Sequence, residues 1–128
     1  MRLLMSTLAL VSMLFGLAFA ADLPSATDAS IRSALTSGKP TVADFGARSC
    51  IPCKKMAPIL AELDREYKGK ANVLFTDVHE GKKLAETYRI QMIPTQIFFD
   101  AKGKEVKRHI GFMDKADILK ELQAAGLK

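Results

Sequence analysis

Cysteine and histidine are scarce in this chain, two of each in 128 residues, and tryptophan is absent. A structural zinc site built on Cys50 and Cys53 would need two more ligands. The only histidines, His79 and His109, stand far apart in sequence and lack the close pairing of such a site, so no metal is expected. Charge is not concentrated either. The 19 lysines and arginines face 14 acidic residues and are spread along the chain with no basic arm, which argues against a nucleic-acid partner. A second long apolar run is missing, as are internal repeats, low-complexity linkers and a lipid-acceptor cysteine after the first apolar run.

What is present begins with a short basic start, Met1 and Arg2, and an apolar run from Leu3 to Phe19 that holds no charge. Ala18-Phe19-Ala20 places small residues at the two positions a signal peptidase reads. Residues 1–20 are therefore expected to be a signal peptide cleaved before Ala21. A retained anchor is the alternative, because the stretch approaches the roughly 20 apolar residues that span a bilayer. Residues 21–128 then make one domain, large enough for one core, with no stable membrane insertion after cleavage. Without Arg2 the balance is 18 basic against 14 acidic side chains, a mildly positive soluble surface.

The pattern of the remainder predicts α, β, α, β, α, β, β, α. Asp28 to Thr36 reads as a helix ended by Gly38-Lys39-Pro40, and Thr41 to Phe45 as a short buried strand. Met56, Ile59, Leu60, Leu63 and Tyr67 recur at helical spacing, with Lys54, Lys55, Glu62, Asp64, Arg65 and Glu66 on the wet side. Pro58 sits within this helix and is expected to kink it. Val73 to Val78 reads as a strand and Lys82 to Tyr88 as a short helix. Thr95 to Phe99 and Glu105 to Ile110 flank a hairpin turn, Asp100-Ala101-Lys102-Gly103. A last helix starts near Lys115 with Asp114 as its cap, turns Ile118, Leu119 and Leu122 inward, and ends at Gly126. Strands alternating with helices imply a parallel portion of sheet with right-handed crossovers, and the closing hairpin adds an antiparallel edge.

Cys50-Ile51-Pro52-Cys53 lies where a strand gives way to a helix. Orphan backbone N–H groups and the helix dipole favour negative charge there, so a thiolate suits Cys50, while Cys53 sits one turn in, able to attack a mixed disulfide. Pro52 fits the first helical turn, where its missing N–H costs nothing. Both cysteines follow the expected signal, in a compartment where disulfides persist. Their short separation makes a weak staple, since the stabilisation credited to a disulfide grows with the loop it closes, and redox chemistry explains the pair better. Asp44, between Ala43 and Phe45, reads as a buried carboxylate or alternatively as a strand-end residue or helix-start carboxylate.

Asp44-Phe45, Cys50-x-Pro-Cys53-Lys54, Ala57-Pro58, Ile93-Pro94-Thr95, the Phe98-Phe99 strand and Gly111 occur in the order and at the spacing of thioredoxin. From about Thr41 to the C-terminus the chain resembles that family. The resemblance implies an α/β thioredoxin fold, a central mixed four-stranded sheet flanked by helices. It makes Cys50 the nucleophile, Cys53 the resolving cysteine and Asp44 the buried carboxylate that helps take the proton from Cys53. An X–Pro bond is ordinarily trans; only the resemblance makes Ile93–Pro94 cis and assigns the Ile93 backbone to pairing with an extended substrate. Ile51, Met92 and Phe112 would then form an apolar surface around the cysteines, with core packing as the alternative. Against the family pattern, Ser49 replaces the usual tryptophan, Ile51 the usual loop glycine, and Phe75 the lysine that often neighbours the buried aspartate. An initial β-strand is not evident.

The expected activity is thiol–disulfide exchange with protein or peptide disulfides, in the reducing direction, with no cofactor beyond the Cys50/Cys53 dithiol. Ile93 resembles the residue before the cis-proline of reducing thioredoxins, and Ile51 and Pro52 put no charge between the cysteines. A disulfide oxidase or isomerase of the same fold and a redox-inert peptide-binding module are the alternatives. A periplasmic or otherwise extracytoplasmic monomer is expected, re-reduced by a membrane-embedded electron donor, with cytochrome c maturation as a client pathway.

Overall fold

The computed structural model describes residues 21–128, and the expected signal peptide, residues 1–20, lies outside them. Eight elements follow in the predicted order: α1 Asp28–Leu35, β1 Thr41–Gly46, α2 Ile51–Glu66, β2 Asn72–Asp77, α3 Lys82–Thr87, β3 Thr95–Phe99, β4 Glu105–Ile110 and α4 Lys115–Ala124. Boundaries move by a residue where end groups find local partners. Thr36 and Tyr88, expected inside helices, are caps. β2 starts and stops one residue early, because Asp77 turns its carboxylate onto the N–H groups of His79 and Glu80. The strands lie in the order β2-β1-β3-β4, with β1 parallel to β2 and antiparallel to β3, and β3 antiparallel to β4. Among the described residues no helix is long and apolar enough to cross a membrane.

β1 is buried along its whole length, as a central strand covered on both faces should be, and its alternating side chains divide the interior. On one face Val42 packs with Met56, Leu60, Leu63, Phe98, Ile118 and Leu122, under α2 and α4. On the other, Ala43 and Phe45 meet Ile31, Leu84, Ile97 and Phe99, under α1 and α3. α2 continues through Pro58, whose ring removes the amide that would bond Lys54. Lys115 reaches Glu62 at 2.8 Å and Glu66 at 3.0 Å, fastening the start of α4 to α2. The hairpin turn needs Gly103 at φ 80°, and a Cβ there would lie 2.6 Å from the Leu35 carbonyl oxygen.

The missing first strand survives as a remnant. Ser25 forms a single parallel bridge with Phe75, the Ala26 amide donates to the Phe75 carbonyl at 2.6 Å, and the Asp77 amide donates to Ser25 Oγ at 2.9 Å. Pro24 stands immediately before this contact and has no N–H to extend a ladder, which keeps it to one rung.

Candidate functional site

Three loops meet at one end of the sheet. β1 leads through Ala47 to Ser49 into Cys50; Phe45 lies opposite Thr95, so the loop bearing Met92, Ile93 and Pro94 enters β3 beside it; and the Gly111 amide donates to the Pro94 carbonyl at 2.8 Å, which brings the segment carrying Phe112 alongside. The Ile93–Pro94 bond is cis, and Thr95 Oγ1 closes the bend by donating to the Met92 carbonyl at 2.6 Å. Pro94 is buried and Ile93 half-buried. Ile51, Met92 and Phe112 are 70%, 62% and 46% exposed, so they are surface and not core.

Cys50 is the N-cap of α2. Its backbone is extended, its carbonyl accepts the first helical bond from Lys54 at 2.9 Å, and its Sγ accepts from the Cys53 N–H at 3.4 Å. The sulfur thus occupies the place where a capping oxygen normally stands. Pro52 sits in the first turn, and that turn carries no acidic residue. Cys50 and Cys53 form a disulfide with their Cα atoms 5.1 Å apart; Cys50 is half-buried and Cys53 is 4% exposed. A cleft of about 290 Å³ beside Cys53 is lined by Asp22, Arg48, Lys54, Ala57 and Phe75, so two cations and one acid border it, a positive balance of the sign that favours a thiolate.

Behind Cys53 the sheet offers a small residue and then an acid. A Cβ built on Gly46 would stand 3.1 Å from Cys53 Sγ and 3.4 Å from the Phe75 ring. Gly46 is therefore required for the close approach of α2 to β1, and Gly46→Ala is expected to destabilise the protein by about 1–3 kcal/mol. Urea denaturation checks this, and an unchanged midpoint would show that Cys53 yields freely. Asp44 lies two residues back on the same face of β1 and is wholly buried. Its Oδ1 accepts from Gln96 Nε2 at 2.9 Å, and its Oδ2 accepts nothing from the described residues. Burial pushes the carboxyl up from 3.8 to about 6, against a smaller lowering by the Gln96 bond.

Gln96, His109 and Arg48 belong to this site, and sequence reasoning missed all three. Gln96 is a wholly buried amide in an otherwise apolar strand core, a legible signal of a polar partner. His109 faces it across the β3–β4 pair. Arg48 places its guanidinium 4.9 Å above the Phe75 ring. A cation thus comes from the loop before Cys50, while Phe75 occupies the register position opposite Asp44. No cluster of three or more metal-ligating side chains occurs among the described residues.

A redox-active cysteine pair capping a helix, with a buried carboxylate behind it and a cis-proline loop at the same sheet end, defines a disulfide oxidoreductase. Comparison with known proteins agrees. The thioredoxin family matches residues 23–124, and thioredoxins of Staphylococcus aureus, strains N315 and COL among them, are 42% identical over 96 residues, covering 75% of this chain and 90% of theirs. The chain belongs to the thioredoxin family. Among solved structures, a single-substitution mutant of thioredoxin from Halobacterium salinarum superposes with a TM-score of 0.71 at 25% identity, covering 80% of this chain and 88% of that one. Chloroplastic thioredoxin z gives 0.69 at 27% identity, covering 82% and 95%.

Proposed function

We propose that the protein is an exported reductant of disulfides in other proteins, working outside the cytoplasm as a monomer and re-reduced by a membrane-embedded electron donor. The observation that carries the chemistry is the Cys50 sulfur at the N-cap of α2, with the apolar Ile51 beside it. In the reduced protein the Cys50 thiolate attacks a substrate disulfide, forming a mixed disulfide and releasing one substrate thiolate. Cys53 then gives up its proton, with Asp44 as the acceptor, and attacks Cys50 Sγ. The second substrate thiol leaves, and the Cys50–Cys53 disulfide remains. Two electrons have passed to the substrate, and no cofactor is needed.

Met92, Ile93, Pro94 and Phe112 are assigned to substrate binding. An extended segment pairs with the Ile93 backbone while its side chains lie on the exposed apolar rim. Export rests on the Leu3–Phe19 run and Ala18-Phe19-Ala20, and cytochrome c maturation is the client pathway we favour for such a reductant. Direction rests on Ile93 and Ile51. No positive charge between the cysteines stabilises the reduced form, so the disulfide should resist reduction more than an oxidase's does. Equilibration with glutathione is expected to give a potential nearer about −270 mV than about −120 mV. A value above roughly −180 mV would assign the protein to the oxidase or isomerase class instead.

A further inference from the structure

On the face of the sheet beneath α2, the register places Asp44 of β1 opposite Gln96 of β3, and Gln96 opposite His109 of β4. The three side chains are joined. Gln96 Nε2 donates to Asp44 Oδ1 at 2.9 Å and meets Met56 Sδ at 3.1 Å, while Gln96 Oε1 lies 2.8 Å from His109 Nδ1. The amide nitrogen faces only acceptors, so its orientation is fixed. Its carbonyl therefore accepts, and His109 Nδ1 must carry a hydrogen. Polarity runs one way, from a half-buried imidazole on the edge strand through a buried amide to the carboxylate.

We infer that His109 is a positioning residue for the resolving step: through Gln96 it keeps Asp44 Oδ1 engaged and leaves Oδ2 as the oxygen that takes the proton from Cys53. This rests on the disulfide-exchange reading above. The other groups packed on Asp44 offer no substitute. β2 presents Phe75 at the register position opposite Asp44, the α2 side chain that meets Gln96 Nε2 is Met56, and the buried residues of α4 are Ile118 and Leu122. Without a donor at position 109, the Gln96 carbonyl is a buried acceptor with no partner, and turning the amide over would set that carbonyl against Asp44. Either arrangement weakens the Nε2 bond to Oδ1 and favours the protonated carboxyl.

The test follows the Asp44 carboxyl by carbon NMR through a pH titration, together with the pH profile of mixed-disulfide resolution. His109→Leu is expected to raise the proton affinity of Asp44 about tenfold, moving both midpoints up by about one pH. His109→Asn, whose amide nitrogen falls where Nδ1 stands, is expected to restore both. In the unaltered protein, nitrogen NMR should find the hydrogen of neutral His109 on Nδ1. Unmoved midpoints in His109→Leu, or neutral His109 bearing its hydrogen on Nε2, would overturn the inference, and the second result stands even if the leucine variant does not fold. An Asp44→Asn profile identical to the unaltered one would overturn the underlying role of Asp44 as well, which separates the two failures.

Discussion

Cys50→Ser is expected to reduce insulin no faster than background, whereas Cys53→Ser should complete half a turnover and stop. The difference follows from where the two sulfurs sit. Cys50 caps α2 and is half-buried, open to an incoming disulfide; Cys53, 4% exposed against Gly46, can reach only Cys50. Removing Cys50 leaves no thiolate that a folded partner can meet. Removing Cys53 leaves the attacking thiolate intact but deletes the group that releases the product, so a mixed disulfide accumulates to one substrate per protein. Mass spectrometry under non-reducing conditions reads this directly. A stable adduct on Cys53 of the Cys50→Ser variant would reverse the roles, and a redox-inert binding module would show no loss of function on either substitution.

The oxidised protein should lose about 3 kcal/mol of stability, attributable to Asp44, between pH 3 and pH 8. Its carboxyl binds a proton up to about pH 6 when folded, against the ordinary 3.8 when the chain is unfolded. The native state therefore holds the extra proton between those values. The contribution is fully present below the lower value and is lost as pH rises through the upper one. The gap corresponds to about 3 kcal/mol at 1.36 kcal/mol per tenfold of proton affinity. Asp77 acts in the opposite sense: burial pushes its carboxyl up, but backbone hydrogen bonds from Arg48, His79 and Glu80 outweigh this and hold it below the usual range. Comparing the unaltered protein with Asp44→Asn cancels Asp77 and every other group. Denaturation across this range should show the two stability curves diverging toward alkaline pH, with the asparagine variant relatively favoured there. Parallel curves would mean that water reaches the carboxylate. In the reduced protein the same substitution is expected to slow resolution more than attack, since Asp44 lies on the face of β1 that Cys53 approaches at Gly46.

Most of the fold was legible because apolar spacing and turn residues agreed. Met56, Leu60 and Leu63 recur on one side of α2 and all are buried, and Asp114 caps α4 by accepting from the Asp117 amide at 2.8 Å. The cysteine pair was legible from its spacing, and Asp44 from its apolar neighbours. What lay hidden depends on register. That Gln96 stands between Asp44 and His109 follows from the antiparallel alignment of three strands distant in sequence, which no local pattern encodes. His109 drew notice only as a possible zinc ligand. The orphan first strand was illegible for a different reason: one bridge from Ser25 leaves no alternation to read. Ile51, Met92 and Phe112 fitted core or surface equally well until the three loops were placed at one sheet end.

The loop before Cys50 is tied at Arg48 in three directions. The Arg48 amide donates to Asp77 Oδ2 at 3.1 Å, its guanidinium donates to the Leu23 carbonyl at 3.0 Å, and the same group covers the Phe75 ring. None of these ties involves a sulfur, so none is made or broken when the disulfide opens. The loop that delivers Cys50 is therefore anchored by groups whose bonding does not depend on the oxidation state of the pair.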